Sequence, residues 1–419
     1  MVCVEPMLID RSVRRARVSA SLVFLGFGAA LGVWTARIPA VKSNLGLSDG
    51  RLSIALLAFA AGCIAGMTLI GRLTDRFGSA RVLVPAMLLE GVLLVPPGFA
   101  PGLAALSVTL FLFGATHGTL NIAMNANALE VQRAAGRPIM SSFHAVYSIG
   151  GFLGAVLGSF FAGIGAGVGV NLLAVGALVV GLAVWSAFGI LRRQPAVADS
   201  LTTSSPAVSS SGSSPAGPSP AASSSPAGLS PAASLSAGRR SLLLVFLGVL
   251  VLCTLVGEGA AADWSAVYLR DNLGTSSSFA AYGYAAFALM MTAGRLVGDR
   301  LVAAWGPVLL VRLSGLLAAT GLGAALLIDT PAAGVIGFGL LGAGLSCIAP
   351  QVFTAAGNLD PSRAGQALST VVSIGYLGFL LGPILIGAAA TVVTLPVALA
   401  IPVVLSLFVA LSAPALRPN

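Results

Sequence analysis

The sequence predicts an all-α membrane protein with twelve transmembrane helices in two pseudo-symmetric six-helix bundles. Composition, block length and internal duplication support this fold class. Hydrophobic residues make up 57% of the 419 positions and charged residues 8%, which leaves too little polar surface to cover a water-soluble fold of this size. The apolar residues form continuous blocks of roughly 18 to 25 residues, the length at which a helix crosses a bilayer. Because the blocks do not alternate between apolar and polar residues, they indicate helices and not the strands of a barrel.

The blocks predict twelve helices in chain order. Their expected ranges are 18–37, 52–71, 82–99, 103–129, 139–163, 168–190, 241–266, 279–297, 307–327, 332–356, 365–389 and 393–412. The first block follows a basic stretch, as the apolar region of a signal peptide does, but it is longer and lacks a clear small-residue cleavage site. We therefore expect it to be retained as the first transmembrane helix.

The distribution of basic residues predicts the topology. The formal net charge is +9, with 22 Lys and Arg residues, and most of these lie in the N-terminal tail or in every second loop. Those that remain for the other side are Arg37, Lys42, Arg51 and Arg270. By the positive-inside rule, both termini are expected in the cytoplasm, in a multi-pass protein of the plasma (inner) membrane. The basic charge reports orientation, so no nucleic-acid partner is expected.

Residues 194–238 divide the chain into two halves. This segment consists almost entirely of Ser, Pro, Ala and Gly and cannot bury apolar area, which predicts a disordered cytoplasmic linker. It separates an N-terminal six-helix bundle over 1–193 from a C-terminal six-helix bundle over 239–419. The halves echo one another, because the stretch over 148–154 matches the stretch over 373–378 at an offset of 225 residues. Such duplication is typical of transporter folds, whose binding site lies between the repeats.

A repeated loop motif is predicted to form a gate. After the second helix the chain reads Gly-Arg-Leu-Thr-Asp-Arg-Phe-Gly-Ser-Ala-Arg over 71–81, and after the eighth it reads Gly-Arg-Leu-Val-Gly-Asp-Arg-Leu over 294–301. Glycines allow a tight reversal and close helix approach, and an Asp beside the positive end of a helix can also pair with an Arg on a neighbour. The alternative, a short turn decorated with positive-inside arginines, is disfavoured by the two equivalent copies. The predicted gating residues in these loops are Gly71, Arg72, Asp75, Arg76, Gly78, Arg295, Asp299 and Arg300.

The motif Gly-x-Leu-x-Asp-Arg-x-Gly over 71–78, its weaker copy and the six-plus-six plan resemble the major facilitator superfamily over nearly the whole chain. A narrower resemblance, to fucose-permease-like and rhizopine-permease-like proteins, rests on three segments. These are Asn-Ile-Ala-Met-Asn over 121–125, Gly-Arg-Pro-Ile-Met-Ser-Ser-Phe-His over 136–144 and Gly-Glu-Gly-Ala-Ala-Ala-Asp-Trp-Ser over 257–265. The resemblance implies a rocking-bundle transporter in which helices one, four, seven and ten line the cavity.

Polar residues of the predicted fourth helix are candidate substrate contacts. His117, Asn121 and Asn125 recur every four residues and so share one face, where their side chains can hydrogen-bond a hydroxylated solute. The alternative is polar contact between helices, a role that Asn often has in membranes. The cavity position implied by the resemblance favours substrate contact. Gln351 on the tenth helix and Tyr376 on the eleventh are the candidate contacts from the second half.

The predicted seventh helix carries the candidate coupling residues. A carboxylate inside a span costs about 2.5–3.5 kcal/mol on insertion scales, so it needs a partner or a task. Glu258 is the expected proton carrier, together with Asp263 nearer the outer end. Arg37 lies at the matching depth of the first helix and is expected to pair with one of these acids as an outward gate, a structural ion pair being the alternative. Trp264 is a candidate for stacking on solute or for anchoring at the membrane interface. Glu90, on the peripheral third helix of the resembled fold, is expected to be structural.

The sequence carries no signature of an enzyme or of a cofactor site. It has no phosphate-binding Gly-rich loop ending in Lys-Ser or Lys-Thr, no zinc-site spacing and no nucleophile–base constellation, and its four cysteines stand far apart. We therefore expect no catalysis, no metal and no cofactor, and an ion gradient as the source of energy.

The expected function is secondary active transport of a small polar, sugar-like solute by alternating access, coupled to protons or another ion. The protein is expected to act as a monomer in the lipid bilayer. The stretch over 148–160 lacks the Gly-Pro-x-x-Gly-Gly type signature of the drug-exporter groups of the superfamily, which favours uptake. The alternatives are efflux of a drug or metabolite by proton antiport, and a transporter-derived sensor that binds solute without moving it.

Overall fold

The computed structural model describes residues 5–190 and 237–417, and regular structure in these ranges is helical throughout. The first half contains six helices, α1 (Glu5–Asn44), α2 (Asp49–Phe77), α3 (Ser79–Leu93), α4 (Leu103–Ala135), α5 (Met140–Gly163) and α6 (Val168–Ala187). The second half contains α7 (Ala237–Val267), α8 (Ser277–Ile328), α9 (Pro331–Leu345), α10 (Ile348–Leu359), α11 (Ala364–Val392), α12 (Leu395–Ala398) and α13 (Ala400–Ser412).

The described residues contain eleven helices that are long and apolar enough to cross a membrane, and one of them holds two spans. Helix α8 is 52 residues long and includes Gly306, whose φ of 73° and ψ of 166° are not helical, followed by Pro307. The predicted eighth and ninth spans therefore lie on either side of Gly306. The predicted tenth span consists of α9 and α10, and the twelfth of α12 and α13. The twelve-helix fold class is confirmed. Most helices extend beyond the predicted ranges, because hydropathy marks only the apolar part of a helix and not its polar ends.

The predicted linker over 194–238 lies outside the described residues, apart from Ala237 and Gly238. These two residues begin α7, so the helix includes the last two residues of the predicted linker. The adjoining basic pair over 239–240 is helical as well. A helix that starts in the aqueous phase has no apolar signal in its first turn, and composition alone placed the boundary too late.

Each half encloses an apolar core. Buried aromatic side chains of the first half include Phe24, Phe113 and Phe143, and those of the second include Tyr268 and Phe338. Many large apolar side chains are also exposed on the outer surface. Lipid tails solvate such side chains as well as the protein interior does. The halves meet where α2 packs on α11 and α5 packs on α8, with α4 and α10 between these pairs.

Two glycines, one in the loop motif and one five residues after its copy over 294–301, have similar backbone conformations. Gly78, between α2 and α3, has φ 84° and ψ 145°, and Gly306 has φ 73° and ψ 166°. A residue with a Cβ is strained at such positive φ, so glycine is required for the reversal. The end of the molecule that carries both glycines also carries exposed arginines of the loop motif and its copy, and we call it the basic end. The other end is called the opposite end.

Close packing of α1 on α5 depends on glycine. A Cβ at Gly32 would collide with the carbonyl of Gly151, and one at Gly28 with the carbonyl of Tyr147. The same device recurs between α7 and α11, where a Cβ at Gly378 would collide with the backbone of Leu252. Small residues let membrane helices approach until their backbones touch.

This packing predicts the effect of adding one methyl group. Gly32→Ala should lower the free energy of unfolding by about 1–3 kcal/mol, because the α1 and α5 backbones have to separate. Gly181→Ala is the matched control, since a Cβ there meets nothing within 4 Å and Ala is the better helix former. Thermal unfolding in detergent measures both, and equal stability of the two variants would contradict the packing argument.

Candidate functional site

An ion pair inside the apolar interior links both halves. The Nη2 atom of Arg295 on α8 lies 3.6 Å from Oε1 of Glu258 on α7. The Nη1 atom of Arg295 donates a hydrogen bond of 2.7 Å to Oγ of Ser148 on α5. The guanidinium is buried, whereas Glu258 keeps 20% of its side chain accessible. Charges in such surroundings persist when they are paired and when one partner reaches a water-filled space.

An amide and phenol cluster lies between α4 and α11. The Nδ2 atom of Asn121 donates to the hydroxyl of Tyr376 at 3.4 Å. The Nδ2 atom of Asn125 donates to Oδ1 of Asn121 at 3.1 Å and to its carbonyl at 2.8 Å. The Oδ1 atom of Asn125 is buried and accepts no hydrogen bond. Three of the predicted substrate contacts therefore meet at one place, with an acceptor free.

Three tyrosines interact electrostatically with Glu258. Tyr147 on α5, Tyr284 on α8 and Tyr376 on α11 are all within electrostatic range of Glu258. Asp263 lies about 7.5 Å further along α7, toward the opposite end; it is exposed and within electrostatic range of Tyr284. Hydroxyl and amide groups around an apolar rim suit a small polar ligand.

Sequence reasoning missed part of this cluster. Arg295 was predicted to belong to the gate, but its side chain is buried and contacts Glu258 and Ser148. The signal was present, because Arg295 falls within the predicted eighth span, 279–297, and a charge within a span needs a partner. Ser148 lies in the duplicated segment and was used only to detect the repeat. Tyr147 and Tyr284 had no distinguishing pattern.

His117 contacts the interior of the first half. Its Nδ1 atom lies 2.6 Å from Oε1 of Glu90 on α3, and both side chains are buried. Its ring stacks on Phe27 with a centroid distance of 3.8 Å, and it also packs against Phe59 and Phe113. The predicted contact between His117 and a solute is therefore not available in this conformation. The Glu90 carboxyl has the enclosed position expected of a structural residue.

The remaining candidates make contacts away from this cluster. The Nε2 atom of Gln351 donates to Oγ of Ser141 at 3.5 Å, from α10 to the start of α5. The indole of Trp264 lies against Gly387 of α11, in the second half. Arg37 donates to the carbonyls of Gly158 at 3.5 Å and Ala166 at 2.9 Å. Both acceptors belong to the first half, so the expected pairing of Arg37 with an acid of α7 is not seen.

The two motif aspartates each bind the first turn of a helix in the other half. The carboxylate of Asp75 at the end of α2 accepts from the amides of Gly365 at 2.7 Å and Gln366 at 3.0 Å, at the start of α11. The carboxylate of Asp299 accepts from the amides of Ser141 at 2.8 Å and Ser142 at 3.0 Å, at the start of α5. Each carboxylate thus satisfies amides that the helix itself leaves free and faces its positive end. We call these two contacts the basic-end lock.

Small residues allow this approach. A Cβ at Gly71 would crowd Gly365 and Ser369 of α11, and one at Gly298 would crowd Ser141 of α5. Further hydrogen bonds between the halves lie nearby, including one of 2.6 Å from Arg133 of α4 to the carbonyl of Gly357. Bonds between the halves are thus concentrated at the basic end.

Unlike Arg295, three other arginines of the motif and its copy are exposed. Arg72, Arg76 and Arg300 all lie at the surface of the basic end. The guanidinium of Arg76 lies over the ring of Phe77, 5.4 Å from its centroid. Arg300 borders a cavity beside Asp299. Apart from the bond from Arg295 to Ser148, the contacts that the motif makes across the halves in the described residues come from its aspartates and glycines.

Comparison with known proteins identifies the family. A model described as Major Facilitator Superfamily matches residues 18–359. The chain belongs to this superfamily. The uncharacterized transporter y4wD of Sinorhizobium fredii is 34% identical over 94% of the chain and 96% of its own length. Membrane protein MosC of Rhizobium meliloti is 31% identical over 88% of the chain and 82% of its own length.

Solved structures show the same fold. The crystal structure of FucP in the outward conformation superposes with a TM-score of 0.72 at 16% identity, over 96% of this chain and 99% of that one. The proton:xylose symporter XylE superposes with a TM-score of 0.68 at 15% identity, over 96% and 95%. The superfamily resemblance found from the sequence is thereby confirmed. The chain is a multi-pass membrane transporter, and its family consists of carriers of small solutes.

The Glu90 and His117 pair predicts a stability pattern. His117→Leu should destabilise the protein by about 3–5 kcal/mol, because it leaves a buried carboxyl without its partner. Replacing both residues by leucine should restore most of this loss, since apolar side chains of similar volume suit the site. Unfolding in detergent measures the three proteins. A double variant that is less stable than the single one would show that the pair itself holds the half together.

The basic-end lock predicts that its two contacts open together. Asp75→Asn should increase the reactivity of Cys347, which is buried beside Gly298, in a chain whose other cysteines are replaced by serine. The expected increase is about fivefold, because a charge at a helix N-terminus is worth about 1 kcal/mol. An impermeant maleimide applied from the basic end measures the rate.

Two further variants test this interpretation. Asp299→Asn should increase the rate similarly, although it acts on α5 and not on α11. Asp271→Asn is the control, because that carboxylate is exposed and pairs with its neighbour Arg270. An increase with Asp299→Asn alone would mean local loosening around Cys347 and would reject a shared opening motion.

Proposed function

We propose that this protein is a secondary active transporter that moves a small polar, sugar-like solute across the plasma membrane by alternating access, coupled to protons. The observation that carries the proposal is the Glu258 and Arg295 pair, which reaches Ser148 in the other half beside the Asn121 and Tyr376 cluster. A titratable carboxylate and a set of solute-binding groups thus lie together at the interface between the two bundles, a region that we call the solute seam.

The solute is assigned from the groups that face it. The carboxamides of Asn121 and Asn125 and the hydroxyls of Tyr147, Tyr284 and Tyr376 offer both donors and acceptors. Hydroxyl groups of a sugar-like molecule match this mixture, and aromatic rings can cover its apolar face. The structural neighbour XylE is a proton:xylose symporter, which is in line with this class of solute.

Coupling is assigned to the protonation of Glu258. The ionised carboxylate balances the charge of Arg295, so the pair is stable while both are charged. A proton on Glu258 removes its charge and releases the guanidinium, which then relies on Ser148 of the other half. Asp263, exposed on the same helix toward the opposite end, is suited to pass protons to Glu258. The ionisation state is in this way tied to the contact between halves.

The direction of access follows from the lock. In the described conformation the basic end is closed by Asp75 and Asp299, so solute enters from the opposite end. We assign the basic end to the cytoplasm because positive residues stay on that side, which places both termini there as well. The two bundles, over 1–193 and 239–419, rock against each other around the seam, and one chain suffices for this cycle.

The proposal is tested in two stages with purified protein. A thermal-shift screen against sugars, inositols, amino acids and dyes should give a hit among the polyhydroxylated compounds. Wild-type proteoliposomes should then accumulate that solute when a pH gradient is imposed. A hit confined to dyes, with extrusion driven by the same gradient, would establish export by antiport and reject the uptake proposal.

Glu258→Gln should abolish accumulation driven by a pH gradient while sparing exchange of solute between the two sides. The amide keeps the shape of the side chain but cannot take up a proton. Asp329→Asn is the matched control, because this residue bonds Tyr268 at the opposite end and its φ of 53° is tolerated by Asn. Unchanged accumulation by Glu258→Gln would remove Glu258 from the coupling step.

A further inference from the structure

A cavity of about 370 Å³ opens at the basic end, where α5 meets α8. Arg17 of α1 and Arg137 before α5 border it from the first half, and Asp299 and Arg300 of α8 border it from the second. It lies outside the solute seam described above. The cavity is thus built by both halves of the protein, beside one contact of the basic-end lock.

The charge in this cavity is not balanced. Three guanidinium groups surround a single carboxylate, that of Asp299, and both of its oxygens already accept amides of α5. Arg17 is partly buried and donates to Oγ of Ser142 at 3.4 Å. Arg137 and Arg300 are exposed and form no ion pair with any residue that the structure describes. Guanidinium groups placed together in this way bind phosphate through paired hydrogen bonds.

The cavity also has an apolar wall. Leu296 of α8 lines it and is 57% exposed. The next residue, Val297, is apolar and exposed as well. The three arginines lie at the end of the spans, where the headgroups of a membrane begin. The phosphate group of a phospholipid can bind the arginines while its acyl chain packs against the apolar wall. A free phosphate ion can make only the first of these contacts.

The equivalent place in the other half of the lock is different. There Arg240 pairs with Asp360 at 2.6 Å, and hydrogen bonds from Ser362, together with Arg240, hold the pKa of Asp360 below its usual value. At the repeat offset of 225 residues, Arg137 corresponds to Ser362. An ion pair is therefore present beside α11, whereas Arg137 and Arg300 beside α5 have no such partner among the described residues.

We propose that this cavity binds the phosphate headgroup of an anionic phospholipid, and that the bound lipid stabilises the closed basic end. The lipid contacts Arg17 and Arg137 on one side and Arg300 on the other, so separating the halves divides the site. A ligand that binds one conformation better shifts the population toward it. Basic pockets between membrane helices on the cytoplasmic side are suited to such headgroups. This inference does not depend on the transported solute or on proton coupling.

Binding is measured directly by native mass spectrometry of the full chain with phosphatidylglycerol. The wild-type protein should retain one phosphatidylglycerol molecule more than a variant with Arg17→Gln, Arg137→Gln and Arg300→Gln. The matched control carries Arg11→Gln, Arg14→Gln and Arg81→Gln, three exposed arginines of the same end that do not border the cavity. Equal retention by both triple variants would overturn the site. If the first variant fails to fold in detergent, Arg137→Gln and Arg300→Gln are each tested singly, and each should lower the retained fraction.

The conformational effect is read from the rate of Cys347 labelling in vesicles. Phosphatidylglycerol at 30 mol% in phosphatidylcholine, on the order of a natural anionic content, should slow labelling of the wild-type protein about fivefold. The cavity variant should show no slowing. Glycerol phosphate added to pure phosphatidylcholine vesicles separates the two sources of phosphate. Slowing by this soluble compound would identify a free phosphate ligand and overturn the lipid assignment, while equal slowing of both proteins by lipid would overturn the link to the cavity.

Discussion

The cost of leaving a charge unpaired among apolar helices is the constraint on which this structure depends. Arg295 shows it most clearly, since its guanidinium is buried and finds an acid on α7 and a hydroxyl on α5. Removing either partner would leave a buried charge, and the penalty is several kcal/mol. The halves are therefore held in register by a few polar contacts. The apolar contacts around them are not directional and would not fix one relative position.

The same constraint acts at the basic end, where backbone amides take the role of the cation. The first turns of α5 and α11 have amides without helical partners, and Asp299 and Asp75 supply acceptors from the other half. Gene duplication produces such a contact twice. Its two copies differ in their ion pairing, because Arg240 pairs with Asp360 beside α11, while Arg137 and Arg300 beside α5 form no ion pair with a described residue. The internal repeat thus accounts for the two contacts of the basic-end lock. The difference between its two copies accounts for the basic cavity that lies beside only one of them.

Composition and repeats predicted the number of spans and the fold class, because these depend on hydropathy along the chain and on short local patterns. The repeated motif also drew attention to Asp75 and Asp299, which contact the other half. The surroundings of individual polar residues were harder to predict. His117, Asn121 and Asn125 do share a helix, but the rotation of α3 brings Glu90 to His117 and no hydropathy pattern encodes that rotation. Arg295 was assigned to the loop because the motif continues through it. Its depth in α8 decides its partner, and depth becomes visible only when the helix is packed.

Arg295 and Asp299 are separated by one helical turn on α8, about 6 Å along its axis, and both contact α5. Arg295 bonds Ser148, and Asp299 bonds the amides of Ser141 and Ser142. A single helix pair therefore carries a buried cation whose partner is titratable and, one turn away, the anion that closes the basic end. A change in the charge of Glu258 acts on the first contact, and any tilt of α5 against α8 that follows has to stretch the second. A change at the solute seam can then reach the lock directly, because α5 and α8 carry both the Arg295 contact and the Asp299 contact.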